Sequence, residues 1–206
     1  MTARPPILCS IREGQRSLGI HAGEMILVTG PVGSGKTRML QRLAGLASFP
    51  PSVALTWDDA GGPATHMLFD HSPPLWLAPT LGEELVFGLH PVPADAEVHR
   101  IRQAWRLEAL ADSTPVEALN RIQGIRVALA AMELARTRLA LLDNPTASLP
   151  LDDAEALRKD IAAWTKRSTC AVIIACNRAQ DWQPWVQQTW RFAIGEDVPE
   201  AESRND

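Results

Sequence analysis

The chain has 206 residues, of which 46% are apolar and 21% charged, with a formal net charge of −4 and a pI near 5.7. That length suits a single domain with its own core, so the composition excludes disorder as the main state and removes any need for disulfide or metal staples. The acidic balance supplies no basic field for nucleic acid, no stretch reaches the ~20 apolar residues of a membrane span, and the start MTARPPILCS lacks a signal-peptide core, so the expectation is a soluble, intracellular chain without a nucleic-acid partner.

Met25 to Gly30 (MILVTG) reads as a short buried strand, and the glycine-rich run that follows leads straight into the helical pattern RMLQRLAGL. Gly30, Pro31, Val32, Gly33, Ser34, Gly35, Lys36 and Thr37 match the phosphate-binding loop GxxxxGK followed by Ser or Thr. The glycines let successive backbone N–H groups turn inward around phosphate oxygens, and the positive end of the helix adds to that field. Lys36 is placed to reach the β- and γ-phosphates, and Thr37 to ligate Mg²⁺.

Further along, Val53–Trp57 and His66–Phe69 read as strands separated by a break at Gly61, Gly62 and Pro63. Val98 to Ala111 carries Val98, Ile101, Trp105, Leu107 and Leu110 at helical spacing, and a second helical pattern runs from Ile122 through Ala135. Leu139–Asp143 is an apolar strand ending on an acid, which offers a second Mg²⁺ ligand in Asp143. A helix from Asp152 to Lys166, a strand from Thr169 to Ala175 and a last strand around Thr189 to Ile194 complete an α/β alternation. Such alternation predicts a mainly parallel sheet flanked by helices. Trp164, Trp182, Trp185 and Trp190 are expected to pack internally, whereas Trp76 suits an exposed contact with a partner. Cys9, Cys170 and Cys176 are odd in number and lack CxxC spacing, which fits reduced thiols.

The phrase LALLDNPTASLP closely resembles the Walker B and D-loop stretch of ABC transporter ATPases, where family members usually read LLLLDEPTSALD. Ser17 to Glu24 is similar to the family's SLxIxxGE strand and turn before the P-loop. The run from Leu77 to Leu89 resembles the FAPTVEEEVAFGL of ATPases in cobalt and energy-coupling-factor importers. The resemblance spans about residues 15 to 195. It implies a P-loop NTPase fold in one ABC-type domain over residues 1–195, with a helical subdomain at about 75–118. It also implies ATP and Mg as ligands, a membrane-embedded transporter subunit as partner, and a place on the inner face of the cell membrane. The tail over 196–206 is acidic and lacks large apolar residues other than Val198, so its composition predicts disorder.

The resemblance breaks where hydrolysis is performed. Asn144 takes the place of the catalytic glutamate, Asn177 that of the switch histidine, Asp70 that of the Q-loop glutamine and Pro150 that of the D-loop aspartate. An amide cannot accept a proton as a general base. Leu119 to Gln123 replaces the signature LSGGQ, with Arg121 and Ile122 where glycine would allow close backbone approach. No tyrosine occurs and no aromatic precedes Phe49, so the adenine lacks the usual stacking partner. The expectation is a subunit that binds Mg-ATP but hydrolyses it poorly, as the degenerate half of a heterodimer with an intact ATPase or as a regulatory subunit. The alternatives are a working ABC ATPase in which Asp70 or a partner supplies the base, and a small P-loop kinase or regulator outside transport.

Overall fold

The structure is a computed structural model, described here over residues 5–58, 64–71 and 74–203. The break expected at Gly61 to Pro63 and the last residues of the tail lie outside these. A six-stranded sheet has the order β5-β6-β7-β3-β8-β9, built from Thr65–Leu68 (β5), Leu139–Asp143 (β6), Ala171–Ala175 (β7), Met25–Thr29 (β3), Gln188–Arg191 (β8) and Glu200–Ser203 (β9). Its first five strands run parallel and β9 is antiparallel to β8. A second sheet, order β2-β1-β4, joins Arg16–His21 (β2), Ile7–Glu13 (β1) and Val53–Trp57 (β4) in antiparallel pairs.

The apolar runs become strands because both of their faces are covered, as parallel sheets require. Met25 and Leu27, Ala140 and Leu142, and Val172 and Ile174 pack on one side of the sheet. There they meet α4 (Arg121–Leu134) and α5 (Leu151–Ser168), together with α2 (Leu81–Val86) and α3 (Asp95–Ala104) of the helical subdomain. The alternate residues Ile26 and Val28, Leu139 and Leu141, and Ala171 and Ile173 face α1 (Lys36–Leu43) and the antiparallel sheet. Trp105 and Trp164 meet edge to face at 5.6 Å in the first cluster, and Trp164, Trp182 and Trp190 are fully buried, as expected of packing residues, whereas Trp185 is half-buried against that cluster.

Several boundaries differ from the sequence expectation. The helix expected over Val98 to Ala111 starts at Asp95, whose carboxylate favours the positive helix end, and stops at Ala104. Arg106 turns left-handed there (φ 56°), and the N–H of Leu107 bonds back to Arg102 O at 2.8 Å in a Schellman closure. Strand β1 carries no expectation in the sequence reading, although Ile7, Cys9 and Ile11 alternate before a hairpin turn at Gly14. The tail is corrected as well. Residues 196–203 are folded: Val198 is fully buried, β9 pairs with β8, and the acidic side chains reach arginines, with Arg16 on Glu196 and Glu200, Arg42 on Asp197 and Arg191 on Glu202. The acids that read as a solvated tail are the counter-charges of arginines on β2, α1 and β8.

Candidate nucleotide site

The parallel strands set the site, because their carboxyl ends open onto one edge where the loops after β3, β6 and β7 converge. After β3 the chain turns through Gly30 at φ 148°, and a Cβ there would sit 2.5 Å from Phe192 O, so only glycine fits. Gly35 (φ 104°) caps α1 in the left-handed region with no side-chain bond to the first helical amides, which leaves those donors for an anion. Ser34 is buried and its Oγ has no partner among the described residues. Pro31 and Val32 form the exposed lip.

Lys36 opens α1 and folds its ammonium back onto the loop, donating at 2.9 Å to both Gly30 O and Pro31 O. Burial pushes its pKa below the usual lysine value, with Cys176 and Asp143 opposing that shift electrostatically. Thr37 Oγ1 donates to Asp143 Oδ2 at 2.8 Å. Asp143 is buried at the end of β6, and desolvation is the main cause of its raised pKa; the Thr37 bond and Lys36 lower it, and the Asp70 charge raises it further. A backbone cradle with an orphaned hydroxyl, a desolvated cation and a threonine–carboxylate pair fits a magnesium-bound polyphosphate. In such a site Gly30 to Thr37 would hold the phosphates, and Thr37 and Asp143 would hold the metal, which would supply neutralisation of phosphate charge.

Asn144 and Asn177 follow β6 and β7, and both line the same cavity of about 510 Å³ as Val32, Gly33, Gly35, Lys36 and Thr37. Arg38, Gln41 and Ala47 complete its wall, and no lining residue is aromatic, in keeping with the missing adenine stack. Asp70 lies in an adjoining cavity of about 630 Å³ that shares Thr37 and also contains Asp143. A contact that sequence reasoning missed joins the two: Asn144 Nδ2 donates to Asp70 Oδ2 at 3.0 Å. The amide position is fixed by a left-handed backbone (φ 46°) and by Asn144 N donating to Ala175 O at 2.8 Å.

The signature-like segment is closed on its own chain. Asn120 caps α4 in a reciprocal capping box with Gln123, each side chain accepting at 3.0 Å from the other's backbone N–H. Arg121 donates from Nε to Ala147 O at 3.0 Å, in the loop before α5. Trp76 is half-buried against α4, where a Cβ on Gly124 would approach its ring to 3.3 Å. The exposed apolar residues beside it are Leu75 and Leu77 (77% and 61%), so those, rather than Trp76, present a surface.

Against known proteins, the family model described as ABC transporter matches residues 14–147. The cytochrome c biogenesis ATP-binding export protein CcmA of Bordetella bronchiseptica is 37% identical over 160 residues, covering 72% of this chain and 69% of the relative. The CcmA of Escherichia coli K12 is 30% identical over 165 residues, covering 76% and 78%. Among solved structures, cbiO1 of Clostridium perfringens, part of the ABC transporter complex cbiONQ, superposes with a TM-score of 0.80 at 18% identity, over 96% of this chain and 88% of that one. A nucleotide-free ATP-binding cassette from an ABC transporter superposes with a TM-score of 0.76 at 14% identity, over 96% and 92%.

Proposed function

The chain belongs to the ABC transporter ATP-binding family, and from that premise we propose that it is the Mg-ATP-binding subunit of an export unit of the cytochrome c biogenesis type. The observation that carries the reading is the assembled phosphate cradle, with Lys36 on the loop carbonyls and Thr37 on Asp143. The relatives at 30–37% identity support the export type, and the likeness to cbiO1 supports the fold.

No helix among the described residues is long and apolar enough to cross a membrane. Membership of the family is what supports a place at the membrane's cytoplasmic face, reached through a membrane-embedded subunit. The cavity beside the nucleotide site, rimmed by the exposed Phe69, Leu75 and Leu77, is the apolar surface that receives it. Hydrolysis at this chain's own site is slow, because amides stand at Asn144 and Asn177 where the family places a carboxylate and an imidazole. The Arg121–Ala147 bond and the side chains of Arg121 and Ile122 obstruct the signature face, which favours pairing with an ATPase subunit that is itself intact. The Asp70–Asn144 contact favours a second reading, a slow ATPase with its own base.

The test is purification of the tagged chain from its native cells in mild detergent. The expected result is co-elution with a membrane subunit and a second ATPase, with Leu75→Asp and Leu77→Asp together releasing the chain into the soluble fraction. Elution of the wild-type chain alone, free of membrane protein, contradicts the proposal.

A further inference from the structure

Strands β5 and β6 run parallel with Leu68 opposite Leu142, so the residues two positions beyond, Asp70 and Asn144, leave the sheet side by side. Their side chains use that adjacency. The Asn144 amide, held by its backbone bond to Ala175 O, donates to Oδ2 of Asp70. Asp70 Oδ1 has no partner among the described residues, and Asp70 is exposed.

Among the described residues, the two cavities that meet at Thr37 are lined by two carboxylates, Asp70 and Asp143. Asp143 is buried and engaged by Thr37, so it is committed to the metal end of the site. Asp70 is the carboxylate that faces solvent with an oxygen to spare. A base needs an accepting lone pair within reach of water and a fixed orientation; Asp70 has the first, and Asn144 supplies the second.

We infer that Asp70 is the general base of this site and Asn144 its positioning residue. The oxygen of a water molecule forms a bond to the γ-phosphorus of ATP as the bond from that phosphorus to the bridging oxygen breaks. ADP leaves with the electron pair, and the water proton passes to Asp70. The inference rests on the Mg-ATP binding proposed above and assigns the residual chemistry of the same site.

The full chain, in excess over ATP, is assayed for single-turnover phosphate release, and Mg-ATP affinity is measured in parallel by calorimetry. Wild type is expected to release phosphate faster than Lys36→Ala. Asp70→Asn should lose about 100-fold, within the usual contribution of a general base, with affinity equal or tighter because a negative charge near the phosphates is gone. Asp70→Glu should regain about tenfold over Asp70→Asn, since it keeps a carboxylate, and Asn144→Leu should fall about tenfold short of wild type with affinity unchanged; a merely structural role predicts that Asp70→Asn keeps the rate, because an asparagine oxygen there still accepts the Asn144 bond. His71 lines the same cavity, and His71→Ala should leave the rate unchanged. The inference is overturned if wild type binds Mg-ATP yet turns over no faster than Lys36→Ala, if Asp70→Asn keeps the wild-type rate, or if His71→Ala takes the loss instead. Absence of Mg-ATP binding by wild type is a separate reading on the calorimeter, and it removes the parent proposal together with this one.

Discussion

Thr37 Oγ1 donates to Asp143 Oδ2 at 2.8 Å, joining the first turn of α1 to the end of β6 across 106 residues of sequence. The bond holds the carboxylate in a buried place where its pKa is raised, chiefly by desolvation. The sign follows from linkage. The folded chain holds the Asp143 proton more tightly than the unfolded chain, so stability present below the unfolded value is lost as pH rises through the folded one. Ionised Asp143 therefore destabilises the nucleotide-free protein at neutral pH. Asp143→Asn is expected to raise its melting temperature at pH 7 while abolishing the magnesium dependence of ATP binding, both read by thermal denaturation with and without Mg²⁺. A lower melting temperature together with intact magnesium dependence contradicts this account.

Asp160 on α5 ties three elements. Its Oδ2 accepts from Arg126 of α4 at 2.9 Å, and its Oδ1 is paired with Arg106, beyond α3, at 3.1 Å. Arg126 and Asp160 are both buried, so removing one partner strands a charge in the interior. Asp160→Ala should cost about 3–5 kcal/mol in urea unfolding, whereas Arg106→Ala, at the exposed end, should cost about 1 kcal/mol or less. Equal losses from the two variants would show that burial does not govern the cluster.

The three cysteines are free and buried, and burial pushes Cys9 and Cys170 up to about 12 and Cys176 up to about 11. A thiol reacts as its thiolate, so none should react promptly with a maleimide or disulfide reagent at pH 8, and all should react on unfolding. Rapid labelling of native protein at any of the three would contradict the packing described.

The P-loop, Asp143 and the central strands were legible because local rules dictate them. Gly30 is fixed by backbone approach, and the runs at Met25, Leu139 and Ala171 are apolar without alternation because both faces are covered. The pairing of Asp70 with Asn144 was not legible, since it depends on β5 lying beside β6, a fact of strand order that periodicity does not carry. The same holds for Arg121, whose partner Ala147 belongs to a loop beyond β6. The tail was misread because its acids look solvated until the arginines opposite them are located.

That tail gives its own prediction. Val198 is fully buried, and full burial of a valine side chain is worth about 1.5–3 kcal/mol. Val198→Asp should destabilise by at least that amount, a fall of roughly 3–12 °C in melting temperature for a chain of this size. Unchanged melting would mean that Val198 is not packed in the core as described.

The proposed function requires that Gly30 to Thr37 with Asp143 bind Mg-ATP. The most direct test is thermal denaturation of the purified chain at a hundredfold excess of Mg-ATP over its Kd. Binding to the native state alone contributes about 2.7 kcal/mol there, a rise of roughly 5–10 °C. The rise is expected in wild type and should be lost in Lys36→Ala, with GTP nearly as effective because no aromatic lines the cavity. No rise at millimolar Mg-ATP, or the same rise in Lys36→Ala, would contradict it.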